Sequence, residues 1–600
     1  MVGGVPDVIV AHDSLAATGS LASIPGASVR PSTLERLREW LPEIVLVVVT
    51  TIAGALGGGR WLNPFGDPGT WWSLAARLGE GEICYRDVFL QYGPLTPFLL
   101  GLWTRAFGLS ALSFLVFNWV PAIVLGVLLL RAARPFLTGF ERLAALALVL
   151  ALGLFGAGLA QSRLIFSYCP AAVVALALGV AALLLLPRSA PRAIDPFASG
   201  LLAGLAFCAK QEIGIAAAVG LCAPLLTGLR RSGGWFVRCL SSFVIVSAAG
   251  LAWAARSASL ESLARDSHFW PLGAVPSSWK LLFRMAAGVT AFGWEGHVLR
   301  SALGLVVCVL VVGLVALALS SEGRVSRAVP IVLLGAVFCA GVFAHVRFGW
   351  RHWDPLCLSM IVAFAMAVGA FVSEGLPRRD FLVGFGLFAG VVAARTAFIG
   401  RDWNIYSSVA NVCVALVWPI FLLRVVPGVF PPGKKAGRYA RRIWAAAILP
   451  VAAYSAWLSA LSLREPFAVP AQTREGTVWI AAREAPFVAL IGRNVRPGER
   501  SLILPESNGM EALFGLRSAS PLLSHMPGWL GDDAEAGLLR RLVQDPPEVV
   551  ILFARPVWEF GVAPFGEGFG RNLSAWIFRN YRRVDGVEGV GAILRRGPPA

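Results

Sequence analysis

Residues 166–187 read FSYCPAAVVALALGVAALLLLP, a run without a single charged side chain. About 20 apolar residues at 1.5 Å per residue match the roughly 30 Å hydrocarbon core of a bilayer, so the run reads as a transmembrane helix. Arg188 and Arg192 follow at once, and arginines that close an apolar span mark its cytoplasmic end. The same pattern recurs on both sides. Apolar runs of membrane length fall at 41–58, 112–131, 141–160, 198–213, 214–229, 235–255, 298–320, 327–345, 355–374, 380–399, 407–426 and 442–462. With 166–187 they make thirteen expected spans.

Composition agrees. Hydrophobic residues are 57% of 600 and charged residues 14%, against about 25% charged in soluble chains. The formal charge of +17 does not read as a nucleic-acid-binding face. From Leu463 onward there are sixteen Arg and Lys against fifteen Asp and Glu, so the excess lies in the membrane part. There it falls in one set of loops, at Arg131/Arg134, Arg188/Arg192, Arg230/Arg231, Arg324/Arg327, Arg378/Arg379 and Lys434–Arg442. With thirteen spans and a cytoplasmic N-terminus, all of these face inward. The nine cysteines are scattered, with none after residue 462; neither a disulfide framework nor a zinc site is expected.

The fold expected is an all-α polytopic membrane bundle of about thirteen transmembrane helices with a small C-terminal α/β domain. Residues 1–40 form a cytoplasmic segment without a signal peptide, in which Ser32 to Glu35 makes a capping box for a short interfacial helix. The membrane domain occupies 41–462. An extracytoplasmic domain occupies 463–600, with a helix over 472–495, a strand at 501–505, a helix at 532–544, a strand at 548–554, a helix at 571–581 and a strand at 589–594. No phosphate loop or Ser/His/Asp arrangement follows its strands, and no catalytic role is expected of it.

Chemistry at a membrane surface gathers in the outer loops, and the first of them, 59–111, is long and rich in polar and aromatic residues. It carries Asp67-Pro68, Trp71-Trp72, Tyr85-Arg86-Asp87 and Tyr92-Gly93-Pro94-Leu95. Asp-Pro before an amphipathic stretch reads as an N-cap with proline at the first helical position. The two tryptophans suit headgroup level, on a helix lying along the membrane. Residues 94–108, short and carrying two prolines and Arg105, read as an interfacial or re-entrant helix.

The pattern Asp67-x4-Trp72-x2-Ala75-x2-Leu78-Gly79, Tyr85-x-Asp87 and Tyr92-Gly-Pro-Leu95 resembles the first outer loop of GT-C glycosyltransferases. The protein mannosyltransferase and lipid A aminoarabinose transferase branch is the most similar. The plan of an inner N-terminus, about thirteen spans and an outer C-terminal domain is similar too. Pro68 stands where family members often have a second acidic residue. The resemblance implies transfer of a sugar from a polyprenyl-phosphate donor to an acceptor hydroxyl on the outer face of the plasma (inner) membrane, the acceptor being a lipid, glycan or protein. It implies Asp67 as general base; a carboxylate would take the proton of a weakly nucleophilic hydroxyl. Tyr85 and Asp87 would orient the base or bind the sugar, and Tyr92 falls in the same element, a turn that launches the next helix.

Lys210-Gln211-Glu212 interrupts an apolar span at its outer end. Intramembrane charge is costly and faces a cavity or a partner, which makes Lys210 a candidate ligand for the lipid phosphate. A Lys210–Glu212 pair at a helix break is the plainer alternative. Arg163, Arg347, Arg351 and His268, in outer loops, are further candidate phosphate or donor contacts. The spacing around His345, His352 and Asp354 repeats no metal-ligand pattern, so no cofactor is assigned and a divalent metal has no support. Two other readings stay open: a transporter or flippase of a lipid-linked or anionic substrate, and a non-catalytic scaffold. A transporter would show repeat symmetry and mid-membrane charges, and neither is evident.

Overall fold

The structure is a computed structural model that describes residues 33–57, 64–90, 92–155, 169–186, 192–228, 232–258, scattered positions between 302 and 336, 358–398, 404–429 and 469–597 apart from 507, 508, 528 and 558–561. It is mostly helical, with a small sheet near the C-terminus. The helices are α1 (Thr33–Gly57), α2 (Asp67–Gly79), α3 (Leu95–Phe107), α4 (Ala111–Ala133), α5 (Gly139–Leu148), α6 (Pro170–Leu184), α7 (Asp195–Ala209), α8 (Gln211–Gly220), α9 (Ala223–Leu226), α10 (Ser232–Ala255), α11 (Leu358–Val372), α12 (Arg379–Phe398) and α13 (Asn404–Ile420). α5 and α13 each continue through a π-helical segment, Val149–Leu154 and Phe421–Val425.

Among the described residues, four segments are long and apolar enough to cross a membrane: Glu39–Leu56, Ala111–Ala133, Gly233–Ala255 and Asn411–Val429. Pro170–Leu184, Asp195–Ala209, Gln211–Leu226 and Ser359–Val372 are shorter apolar helices. Their outer faces bear large apolar side chains in the open, such as Ile52, Leu56, Val120, Val244, Ile245 and Val368. A continuous exposed apolar girdle belongs in lipid, and the protein is a membrane protein. The expected runs 327–345 and 442–462 lie outside the described residues or almost so, as does most of 298–320.

Of the connections predicted as basic, those around Arg131/Arg134 and Arg378/Arg379 meet at one end of the bundle, while Arg188, Arg230/Arg231, Arg324/Arg327 and Lys434–Arg442 lie outside the described residues. Phe136, beside Arg134, stacks on Phe381 at 5.8 Å. Arg378 donates to the Leu184 carbonyl at 3.3 Å, and Thr227 to Asp380 at 2.6 Å. At the opposite end, the Ala111 amide at the start of α4 donates to Glu475 of the C-terminal region. Small residues let the helices approach. A Cβ on Gly204 of α7 would stand 2.9 Å from Val246 Cβ of α10, and one on Gly386 of α12 would stand 2.8 Å from the Ala363 carbonyl of α11. Such close backbone contact drives helix association in lipid. Glu43 and Arg142 form an ion pair buried between α1 and α5, with Arg142 Nη2 donating to both carboxylate oxygens at 3.0 and 3.1 Å.

The C-terminal region holds a hairpin, β1 (Val469–Thr473) with β2 (Gly476–Ile480), and a five-stranded mixed sheet ordered β4-β3-β5-β7-β6. Its strands are β3 (Arg500–Leu504), β4 (Arg517–Ser518), β5 (Val549–Phe553), β6 (Tyr581–Val587) and β7 (Gly591–Arg596). β3 is parallel to β4 and β5, while β7 is antiparallel to β5 and β6. The remaining helices are α14 (Ala485–Asn494), α15 (Gly509–Phe514), α16 (Asp532–Gln544) and α17 (Arg571–Asn580). The helix expected over 472–495 is half hairpin: Gly476 at φ +109° turns the chain, and helix begins only at Ala485. β6 directly follows α17, where no strand was expected.

Candidate active site

The first outer loop folds inward. α2 does not lie along a surface with Trp71 and Trp72 at headgroup level; the two side chains are 2% and 0% exposed. Trp72 donates its indole N–H to the Leu109 carbonyl at 2.9 Å, so the polar handle of a buried tryptophan is satisfied. Asp67 is the first helical residue rather than the N-cap, a place taken by the extended Gly66, and Pro68 follows within the first turn. An acidic side chain in a first turn is favoured by the helix dipole.

Trp71, one turn after Asp67 on the same helix face, stacks on Tyr92 with centroids 5.2 Å apart and planes 23° apart. Lys210 Nζ stands over the Tyr92 ring at 4.4 Å. Tyr85 sets the position of Tyr92 by donating its hydroxyl to the Tyr92 carbonyl at 2.6 Å. Burial pushes the Tyr85 phenol well above its ordinary pKa, so it stays a donor. Its backbone adopts φ +68°, an uncommon conformation for an aromatic residue.

Lys210 occupies a helix break that its own backbone organises. It is extended (φ −152°, ψ 112°), closes α7 by donating its N–H to Ala206, and opens α8 by accepting from Ile213 and Gly214. α8 folds back so tightly that a Cβ on Gly214 would collide with the Phe207 backbone, and Gly93 meets the Cys208 carbonyl just as closely. The lysine is 3% exposed and pairs with the half-exposed Glu212 at 3.1 Å. Both alternatives read from the sequence therefore meet here: the helix-break pair exists, and the cation is buried beside the first outer loop.

Cys169, the N-cap of α6, gathers the pieces. Lys210, Asp67 and Glu212 are all near enough to act on its thiol electrostatically. Asp67 opens α2, Cys169 caps the start of α6, and Lys210 both closes α7 and opens α8. Helix N-termini offer unpaired N–H groups and positive dipole ends, a setting that binds anions.

Asp87 follows Tyr85 by two residues in the same loop. Its carboxylate accepts from the Ile83 amide at 2.9 Å and from the Arg86 guanidinium, which holds its pKa below the usual range. Its geometry is that of a turn-closing residue. Arg163, His268, Arg347 and Arg351 lie outside the described residues. Among the described residues no three His, Cys, Asp or Glu side chains converge as a metal site.

No family model matches the chain, and no curated protein matches it. Solved structures do. ArnT from Cupriavidus metallidurans bound to undecaprenyl phosphate is similar at 12% identity, over 93% of this chain and 99% of that one, with a TM-score of 0.48. The Archaeoglobus fulgidus oligosaccharyltransferase in complex with zinc and sulfate is similar at 13% identity, over 86% of this chain and 68% of that one, with a TM-score of 0.46. AglB from the same archaeon, with an inhibitory peptide and a dolichol-phosphate, is similar at 11% identity over 87% and 70%, with a TM-score of 0.45.

Several residues of the site were not legible as such. Cys169 sits at the start of an apolar run, behind Ser167 and Tyr168, with no charged residue beside it. Trp71 had a signal, its four-residue spacing from Asp67. Ser73 and Arg77 share that spacing, and both turn out to be buried against the C-terminal region.

Proposed function

We propose that this chain is a GT-C-type glycosyltransferase that moves a sugar from a polyprenyl-phosphate donor to an acceptor hydroxyl at the outer face of the plasma membrane. In this reading it has thirteen spans, with 1–40 in the cytoplasm and 463–600 outside. The observation that supports it best is the buried Lys210, set at the start of α8 over the ring of Tyr92, on which Trp71 of the Asp67 helix stacks. A phosphate suits the buried ammonium, and a carboxylate on the helix that Tyr92 joins to it suits a proton acceptor.

The steps follow from charge. Asp67 accepts the proton of the acceptor hydroxyl as its oxygen bonds to the anomeric carbon. The bond from that carbon to the phosphate oxygen breaks, and its electron pair leaves with the polyprenyl phosphate, whose negative charge grows by one. Lys210 and the N-terminus of α8 stabilise that growing charge. Before the donor arrives, Glu212 holds the ammonium, and the phosphate takes its place. Tyr92 and Tyr85 shape the wall of the site. Arg163, His268, Arg347 and Arg351 belong to the donor's approach, while Asp87 keeps the loop closed. The acceptor is a lipid, a glycan or a protein.

The test supplies purified protein in lipid with polyprenyl-phosphate-linked sugars and follows free polyprenyl phosphate and transferred sugar. Release of both supports the reading. Movement of the intact lipid-linked sugar across the bilayer, without cleavage, supports a flippase in its stead.

A further inference from the structure

The C-terminal region touches α2 through a second buried polar cluster that the proposed chemistry does not use. Ser73 Oγ donates to Glu511 Oε2 at 2.5 Å, with Ser73 0% and Glu511 6% exposed. One turn on, Arg77 donates to the Ser520 carbonyl at 3.0 Å and pairs with Glu82 at 2.7 Å. The Phe89 amide donates to the Pro521 carbonyl at 2.7 Å. At the other end of α2, a Cβ on Gly509 would stand 3.0 Å from Gly69 Cα and collide with the Pro64 carbonyl. Helix α15 therefore sits backbone to backbone on the first turn of α2, where Asp67 is.

A carboxyl group buried in such a seat is costly. Burial raises its pKa, while the Arg77 charge and the hydroxyls of Ser518 and Ser73 oppose the rise. An apolar side chain would fill the same space at less desolvation cost, but without a directional bond. A buried, satisfied hydrogen bond fixes one register among several that apolar packing allows. Asp67 lies six residues before Ser73, about 9 Å along the helix axis, so the register of α2 decides where its carboxylate stands. Misplacement of a catalytic group by about 1 Å costs up to roughly 10²-fold in rate.

We propose that Glu511 is a positioning residue: through its bond to Ser73 the C-terminal region sets the placement of α2, and with it of Asp67 against Lys210. The inference rests on Asp67 being the base of the proposed transfer. It makes the C-terminal region part of the site's scaffold.

The full-length protein in lipid serves as the test, with Glu511→Ala, Glu511→Gln and Ser73→Ala. For Glu511→Ala and Ser73→Ala, kcat is expected to fall about tenfold or more, with KM for the lipid-linked donor within about twofold of wild type. Glu511→Gln, whose amide oxygen still accepts from Ser73, restores most of the rate. Hydrogen exchange of the α2 amides rises in Glu511→Ala and not in Glu511→Gln. Wild-type kcat in Glu511→Ala overturns the proposal, as does a parallel loss of donor affinity, or a glutamine as poor as alanine. Should wild type transfer sugar from no donor, the glycosyltransferase reading fails. The exchange measurement then still decides whether Glu511 sets α2, and unchanged exchange in Glu511→Ala overturns that.

Discussion

The ammonium of Lys210 stands 4.4 Å above the ring of Tyr92. One charge, on the break between two helices, is thereby fixed to the loop that carries Asp67. A cation over an aromatic face is worth about 0.5–2 kcal/mol, and Glu212 pairs with the same ammonium at 3.1 Å.

Lys210→Ala is expected to weaken binding of polyprenyl phosphate about 10- to 100-fold, the equivalent of about 1.5–3 kcal/mol for a hydrogen bond to a charged group. Lys210→Arg should recover part of it. Titration calorimetry or a competition assay with the lipid phosphate measures both. Unchanged affinity in Lys210→Ala would remove the lysine from the donor site.

Tyr85→Phe deletes the 2.6 Å bond to the Tyr92 carbonyl and leaves that carbonyl without this donor. The expected cost is about 1–2 kcal/mol of local stability. Hydrogen exchange over residues 83–93 reports it, and a protection pattern identical to wild type would contradict it.

Glu43 and Arg142, buried 3.0 Å apart, tie α1 to α5 in the bundle. Removing one partner strands a charge: Glu43→Gln or Arg142→Met is expected to cost about 3–5 kcal/mol, and the double variant much less than the sum. Thermal unfolding in detergent gives the cycle; additive losses would show that the pair is not coupled.

His525 supplies a pH signature. Burial, with the Arg77 charge adding to it, pushes its pKa down to about 3 from 6.5, so the unfolded chain takes up this proton first. The stability is present above pH 6.5 and is lost as pH falls toward 3, by at most about 1.4 kcal/mol per pH unit for this one group. Glu511 has the opposite sign: its raised pKa favours the folded state below the ordinary carboxylate range and is lost as pH rises through its folded value. His525→Gln keeps a partner for Ser520 and should flatten the acid limb of a stability-against-pH curve. An unchanged limb would place the acid sensitivity elsewhere.

Four spans were legible from composition alone, since runs such as 112–131 and 235–255 need no partner to be read; the run 166–187 yields α6, most of which is buried inside the bundle. Two of the six basic connections, around Arg134 and Arg378, meet at one end, as Phe136 on Phe381 shows. Lys210 was legible for the same reason, a charge standing where charge is expensive. What sequence did not carry was depth. Trp71 and Trp72 look like headgroup residues until α3, α4 and α15 close over them, since the same aromatic pair suits an interface and a core. Nor did it show that Asp87 spends its carboxylate on the Ile83 amide, a bond between neighbours that only the turn's geometry reveals. Glu511 hid in the short helix α15, 438 residues from Ser73, and such pairings are set by tertiary packing alone.

The central claim is that Asp67 takes the acceptor's proton at a site that holds the donor's phosphate. Asp67→Asn keeps size and hydrogen bonding but removes the base, so sugar transfer from a labelled polyprenyl-phosphate donor should fall about 10²- to 10⁴-fold while polyprenyl phosphate still binds. Transfer by Asp67→Asn at the wild-type rate would contradict the account.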